Sequence, residues 1–275
     1  MSTIIARVDT EDPAALVRFY DATYSREPSQ AAVGARWRAL GAVNKADHVI
    51  ALCTRAGPWA GGRPMSTLDV GCGDGALLCE LRRRGFGGML AGVEITQAAV
   101  DFARGRPQID SVELYDGARL PAPDDAYDLG LLSHVLEHVP EPSALLREVA
   151  RACRAVVVEV PLEANLSARR ASKRAHAQEV GHLQRLDRAA VHALVARAGL
   201  SILAELDDPL PVEFHRFFAA GRRARATGAA KWAVRAGVHR LAPGLARRLF
   251  TLHHACLCAP PGPQPAPTRR RPPAA

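Results

Sequence analysis

Residues 68–76, LDVGCGDGA, follow a short apolar run and support two readings. As Gly-x-Gly-x-x-Ala (Gly71, Gly73, Ala76) they fit the dinucleotide fingerprint, in which glycines bring backbone amides against a pyrophosphate. As Asp-x-Gly-x-Gly-x-Gly (Asp69, Gly71, Gly73, Gly75) they suit a loop that approaches a nucleoside cofactor of another kind. The loop alone leaves both open. The segments around it decide.

Outward from the loop, the texture is alternating strand and helix. STLDVG is a short buried strand, ALLCELRRRG a helix with Leu77, Leu78 and Leu81 inward, and MLAGVEI a second strand. AAVDFARG gives a helix, then SVELYDG a third strand, YDLGLLSHV a fourth and RAVVVEVP a fifth, with EPSALLREVARAC helical between the last two. A further helix starts at Asp187, an N-cap residue, and stops at Gly199. Apolar, β-branched strands separated by helices predict a parallel sheet covered on both faces, with the site at the strands' C-terminal edge. LSILAELDDPL and FTLHHACLCA supply a sixth and a seventh strand. The connection of about forty residues between them far exceeds the usual ~2–6. It reads as a helical insert in which Trp232, Val234, Val238, Leu241 and Leu245 share one face and Lys231, Arg235 and His239 another. Upstream, DPAALVRFYDATYS and QAAVGARWRALGAVNKADHVIALCTRAG read as helices, the second closed by Gly57 and Pro58.

An acidic residue, Glu94, ends the second strand 21 positions after Gly73. Its carboxylate suits the two ribose hydroxyls of either cofactor, so it does not discriminate. The next strand end does. Asp116-Gly117 there suits a nucleoside without a pyrophosphate: the carboxylate can accept from an adenine amino group while the glycine amide donates to a ring nitrogen.

Four ordered segments, TLDVGCGDGALL, GVEI, DGARLPAPDDAYDLGLLSHVLEHV and GHLQRLDRAAVHALVARAGL, resemble the class I S-adenosylmethionine-dependent methyltransferases across residues 66–205. The resemblance implies a Rossmann-like α/β fold: a seven-stranded, mostly parallel sheet with helices on both faces and an antiparallel last strand. The N-terminal helical segment and the insert between the last two strands are added to that domain. The resemblance also implies S-adenosyl-L-methionine as cofactor. Asp69, Gly71, Cys72 and Gly73 would lie at its methionine part, Glu94 and Ile95 at the ribose and adenine, Asp116 and Gly117 at the adenine edge, and Ser133 near the sulfonium.

Methyl transfer is an in-line displacement at an already activated carbon, so alignment supplies much of the acceleration, and an oxygen or nitrogen acceptor can need a base. SHVLEHV places His134, Glu137 and His138 after the fourth strand, and His182 precedes a later helix. The catalytic candidates are His138, His182 and His134, with His138 and His182 leading as bases because imidazole titrates near neutrality. The alternative is that Glu137 and His138 hold the loop together by hydrogen bonds. The His-x-x-Glu-His spacing plus a later histidine is similar to the Glu-x-x-Glu-His plus His metal site of small-RNA terminal ribose methyltransferases. His134 replaces the first glutamate of that pattern, and no metal ligand is assigned.

The chain has 36 Lys and Arg against 28 Asp and Glu, a formal charge of +8, but the excess is localised. From Phe214 onward there are twelve basic residues and no acidic one, which leaves residues 1–213 at −4. The organisation expected is an N-terminal helical lid over 1–60, a cofactor-binding core over 61–210, a basic helical cap over 211–249, the last strand over 250–259 and a disordered Pro/Arg tail over 260–275. Arg216, Arg222, Arg223, Arg225, Lys231 and Arg235 would make the cap a positive lid. The expected partner is a small, anionic methyl acceptor, ahead of RNA or an anionic membrane surface; DNA is not expected. A non-catalytic S-adenosylmethionine-binding protein is the reading from another class. Fourteen aromatics, not interleaved with the basic residues, make a poor RNA-stacking platform. Six cysteines without a Cys-x-x-Cys pair, and no run of ~20 apolar residues, point to a cytoplasmic protein with free thiols.

Overall fold

Seven strands pair into one mixed sheet in the computed structural model, which describes residues 17–18, 20–21, 28–59 and 63–261. A long helix α1 (Pro28–Ala56) precedes β1 (Ser66–Val70), α2 (Ala76–Arg83), β2 (Met89–Glu94), α3 (Gln97–Arg104) and β3 (Ser111–Leu114). The second half runs β4 (Tyr127–Ser133), α4 (Pro142–Ala152), β5 (Cys153–Pro161), α5 (Ala171–Glu179), α6 (Arg188–Arg197) and β6 (Ser201–Asp208). The insert forms α7 (Val212–Arg216), α8 (Gly221–Leu241) and α9 (Pro243–Leu249), and β7 (His253–Ala259) closes the sheet.

The strand order is β3-β2-β1-β4-β5-β7-β6, with β7 antiparallel to both neighbours and the other pairs parallel. Alternation along each strand divides the core between the two faces. Leu68, Val70 and Leu132 pack with Leu145, Leu146 and Val149 of α4 and Val191, Leu194 and Val195 of α6. Leu129 and Leu131 pack on the other face with Val49 and Leu52 of α1, Leu77, Leu78 and Leu81 of α2 and Val100 of α3. Each fully buried leucine contributes roughly 1.5–3 kcal/mol. Local signals agree with this packing. The Asp187 carboxylate accepts from the Ala190 amide at 2.8 Å, capping α6, and such caps are worth about 1 kcal/mol. Gly85 and Gly199, at φ 65° and 79°, end α2 and α6 in the left-handed region that favours glycine.

Three expectations need comment. The helix over DPAALVRFYDATYS falls mostly outside the described residues, as does the tail beyond Pro261. Helix α5 was not foreseen, because ASKRAHAQE has no apolar periodicity and buries only Ala177. The insert is helical as expected, but its apolar residues do not share one buried face. Val234, Leu241 and Leu245 are exposed at 60%, 86% and 49%, while Arg235 turns inward. Helix α8 packs on α7 through a small residue instead. Gly228 is buried, and a Cβ there would lie 2.5 Å from the His215 carbonyl oxygen.

Candidate active site

Strands β1, β2, β4 and β5 end on one edge, and the strand order reverses between β1 and β4, which opens a crevice at their C-terminal ends. A cavity of about 1890 Å³ lies there. Ligand pockets usually measure ~300–1000 Å³, so this one has room for a nucleoside cofactor and a second molecule together.

One wall is the glycine loop. Gly71, Gly73 and Gly75 all have positive φ (73°, 56° and 74°), so three tight left-handed turns follow β1. A Cβ on Gly71 would meet Val135 at 2.9 Å. Glu94 braces this loop. Its Oε2 accepts from the Gly73 amide at 3.0 Å, and its Oε1 accepts from Ile95 at 2.7 Å and Thr96 at 3.3 Å. At the next strand end Asp116 Oδ1 accepts from the Ala118 and Arg119 amides at 2.8 and 2.7 Å, and these bonds hold its carboxyl below the usual range. Gly117, at φ 81°, sits beside Ile95. Cys72 lines the cavity, but its sulfur rests against Gly92 of β2, so its thiol is turned to the core.

The charge of this wall separates the two cofactor readings. Burial pushes the Asp69 carboxyl up to about 7, with Lys45 opposing and Glu94 adding to the shift, and burial likewise raises Glu94. Neither carboxylate has a salt bridge among the described residues, and Asp74, the third acid of the loop, is paired with Arg38 and Arg106. A pyrophosphate would add charge of the same sign to Asp69 and Glu94. A cationic sulfonium with an α-amino group supplies the opposite charge, so the residues present fit S-adenosylmethionine.

The facing wall carries histidines. His138 Nδ1 lies 3.1 Å from the Gly181 carbonyl, which can only accept, so the proton is on Nδ1 and Nε2 keeps a lone pair. Burial lowers its pKa and keeps the ring neutral. His182 Nδ1 donates to Glu163 Oε2 at 2.8 Å, a carboxylate–imidazole dyad. The two rings meet edge-on at 4.8 Å. His134 occupies the left-handed region (φ 60°), a conformation that costs a non-glycine residue about 1–3 kcal/mol. Its ring is held by three neighbours: Glu137 Oε1 at 3.0 Å, Glu159 Oε1 at 3.4 Å and His253 Nδ1 at 3.1 Å. Ser133 lines the same cavity, with its Oγ 3.4 Å from Glu159 and its carbonyl accepting from Lys45 at 3.5 Å.

The third wall comes from α1, α5 and the insert. Trp37 stands against Phe214, Phe217 and Phe218 at 5.1–5.4 Å between ring centres, tying α1 to α7 and the turn after it. Arg235 donates to the Thr251 carbonyl and lies 5.3 Å over the Phe250 ring. Its Nε is buried without a hydrogen-bond partner, and burial lowers its pKa. No carboxylate forms a salt bridge with it among the described residues. Of the six basic residues expected to face the site, Arg235 alone lines the cavity; Arg216, Arg222, Arg223, Arg225 and Lys231 are exposed to solvent. Lys173 of α5 lines it instead.

Every residue singled out from the sequence as a cofactor or catalytic candidate therefore borders this one cavity. Lys45, Glu159, Glu163, Lys173 and His253 were missed. Glu159 carried a signal, as the one acid at the cavity end of the apolar strand VVVEVP. The others are brought in by tertiary packing and leave no local pattern.

This fold and site define a class I S-adenosylmethionine-dependent methyltransferase domain. The chain matches the methyltransferase-domain family over residues 44–205 and belongs to it. It is 30% identical over 95 residues to ajmaline N-methyltransferase of Rauvolfia serpentina, a match covering 32% of each chain. It is also 30% identical over 109 residues to a ubiquinone biosynthesis O-methyltransferase of Acinetobacter baumannii, covering 38% of this chain and 42% of that one. The chain thus spans about a third to two fifths of the curated relatives it matches. Among solved structures, magnesium protoporphyrin IX methyltransferase of Synechocystis PCC 6803, which holds S-adenosylhomocysteine, aligns at a TM-score of 0.54 and 15% identity, covering 90% of this chain and 99% of that one. Phosphoethanolamine N-methyltransferase 2 of Haemonchus contortus aligns at 0.56 and 11% identity, covering 90% and 60%. Both likenesses are of fold.

Proposed function

We propose that the protein transfers a methyl group from S-adenosylmethionine to an oxygen or nitrogen of a small anionic acceptor. One observation carries the reading: a cofactor wall, two oriented imidazoles and an uncompensated guanidinium face a single cavity. When bound, S-adenosylmethionine supplies a methyl carbon activated by its sulfonium. Asp69 and Glu94 provide the negative surroundings that a sulfonium and an amino group need, and Glu94 and Asp116 fix the nucleoside. His182 Nε2 takes the acceptor's proton. Glu163 keeps the His182 proton on Nδ1 and stabilises the imidazolium that forms. His138, neutral and edge-on to His182, is the second base candidate. Arg235 and Lys173 hold an acidic group of the acceptor, and the insert acts as the cap that excludes water.

The partial matches to a named N- and a named O-methyltransferase support small-molecule methylation. Of the six cap cations expected at the site, five do not reach the cavity, which weighs against RNA as the acceptor. No helix among the described residues is long and apolar enough to cross a membrane, and the six cysteines are free. A cytoplasmic location accords with both.

The test is transfer of labelled methyl from S-adenosylmethionine into separated small-molecule, RNA and lipid pools. Label in an anionic small-molecule fraction is expected. Label confined to RNA or lipid overturns the substrate class, and cofactor binding without transfer to any pool favours a non-catalytic binding protein.

A further inference from the structure

We infer that His134, Glu159 and His253 form a binding site for one divalent transition-metal ion, best matched by zinc, with a fourth position open to the cavity. The role of that position as an acceptor contact rests on the proposed function. The ion site itself rests only on the three side chains.

His134 Nε2, His253 Nδ1 and Glu159 Oε1 form a nearly equilateral triangle with sides of 3.1, 3.4 and 3.4 Å. A tetrahedral zinc ion with bonds of about 2.05 Å sets its ligand atoms about 3.3 Å apart, so all three sides lie within a few tenths of an ångström of that figure. A carboxylate also stands behind one ring. His134 Nδ1, the nitrogen outside the triangle, lies 3.0 Å from Glu137 Oε1. This is the carboxylate–histidine arrangement that orients metal-ligating imidazoles. A single cation serves all three.

The surroundings favour this triangle over two others. Glu159 is fully buried and has no Lys or Arg salt bridge among the described residues; His48 Nδ1 stands 3.4 Å from the same Oε1. In the trio Glu137, His138 and His182, the nearest imidazole nitrogen of His138 stands 4.0 Å from the carboxylate, wider than the ~3.3 Å between ligands of a tetrahedral ion. In the trio His192, Glu205 and His254, the carboxylate is already bonded to Arg188, and His192 donates to it at 2.7 Å. Only the first trio combines ion-sized spacing with cavity exposure, since His134 and His253 both line the cavity. Two imidazoles and one carboxylate with an open fourth position match the composition of zinc sites that bind a reacting ligand, and imidazole selects against magnesium. An acceptor oxygen at the fourth position would be held, and a hydroxyl there made more acidic, before its proton passes to His182.

The experiment uses the full chain, freed of metal by a chelator and titrated with zinc by calorimetry, without cofactor or acceptor. One ion per chain is expected. Loss of an outer-shell partner costs ~10–100-fold in metal affinity, so removal of a ligand in His253→Ala or His134→Ala should cost more than about 100-fold. The double variant His138→Ala/His182→Ala should bind normally. X-ray absorption of the zinc-loaded wild-type chain should show two imidazoles and only nitrogen and oxygen neighbours, a readout that does not depend on any variant folding. Absence of stoichiometric binding, a sulfur-containing or all-oxygen shell, or binding lost in the double variant but kept in a folded His253→Ala chain would each overturn the site. Because no methyl transfer is measured, failure here leaves the proposed function standing, and failure of that function leaves the ion site intact.

Discussion

Replacing Glu94 with alanine should weaken binding of S-adenosylhomocysteine at least tenfold. A carboxylate offers about four lone-pair positions. Three are taken by the Gly73, Ile95 and Thr96 amides at 3.0, 2.7 and 3.3 Å, so about one strong position remains for a ribose hydroxyl. A hydrogen bond to a charged group contributes roughly 1.5–3 kcal/mol, equivalent to about 10–150-fold in affinity. The variant also strands the Gly73 amide at the centre of the glycine loop, which adds to the loss and lowers the melting temperature by a few degrees. Glu94→Gln keeps one acceptor oxygen and should fall between wild type and alanine. The assay is calorimetry with the demethylated product, which binds without turning over, alongside circular dichroism to show a native fold. An unchanged dissociation constant in a folded Glu94→Ala chain would refute the placement of the ribose.

Other expectations follow from the same geometry. His182→Ala should lower kcat by ~10²–10⁴-fold, as for loss of a positioned base, with cofactor affinity unchanged in calorimetry; near-normal turnover would make the dyad structural. Glu163→Gln should lower kcat by less than His182→Ala does, measured in the same assay. Arg235→Gln should raise the acceptor's KM, whereas Arg222→Glu, Arg223→Glu and Arg225→Glu together should not, because those three arginines are exposed and off the cavity; the reverse pattern in steady-state kinetics would contradict the cap assignment. Burial would raise the Asp207 carboxyl, but His254 and Arg247 outweigh it and lower it to about 2. A lowered acid stabilises the fold above its unfolded value near 3.9 and loses that contribution as pH falls toward 2, so urea unfolding should show Asp207→Asn costing about 2–3 kcal/mol at pH 6 and progressively less below pH 4. A cost independent of pH would refute the charge pairing.

The cofactor half of the site was legible in the sequence because each part lies at a strand end. Strand periodicity fixes where Asp69, Glu94 and Asp116 fall, and positive-φ glycines mark the turns between them. The acceptor half was legible only in pieces. His134, Glu137 and His138 share one turn and stood out by spacing, but their partners Glu159, Glu163 and His253 come from β5, the loop after it and β7. No local pattern joins residues that a parallel crossover and an antiparallel last strand bring together. The insert misled for a different reason. Helical periodicity assumes that the apolar stripe faces the core, yet α8 packs on α7 through Gly228, and Val234 and Leu241 reach solvent while Arg235 reaches the site.

The most direct test of the account is a crystal structure of the chain with S-adenosylhomocysteine. The account predicts a ribose hydroxyl on Glu94, the adenine edge at Asp116 and Gly117, and the thioether sulfur facing the His138 and His182 imidazoles across the open part of the cavity. A nucleoside bound elsewhere, or a sulfur turned away from the histidine wall, would contradict it.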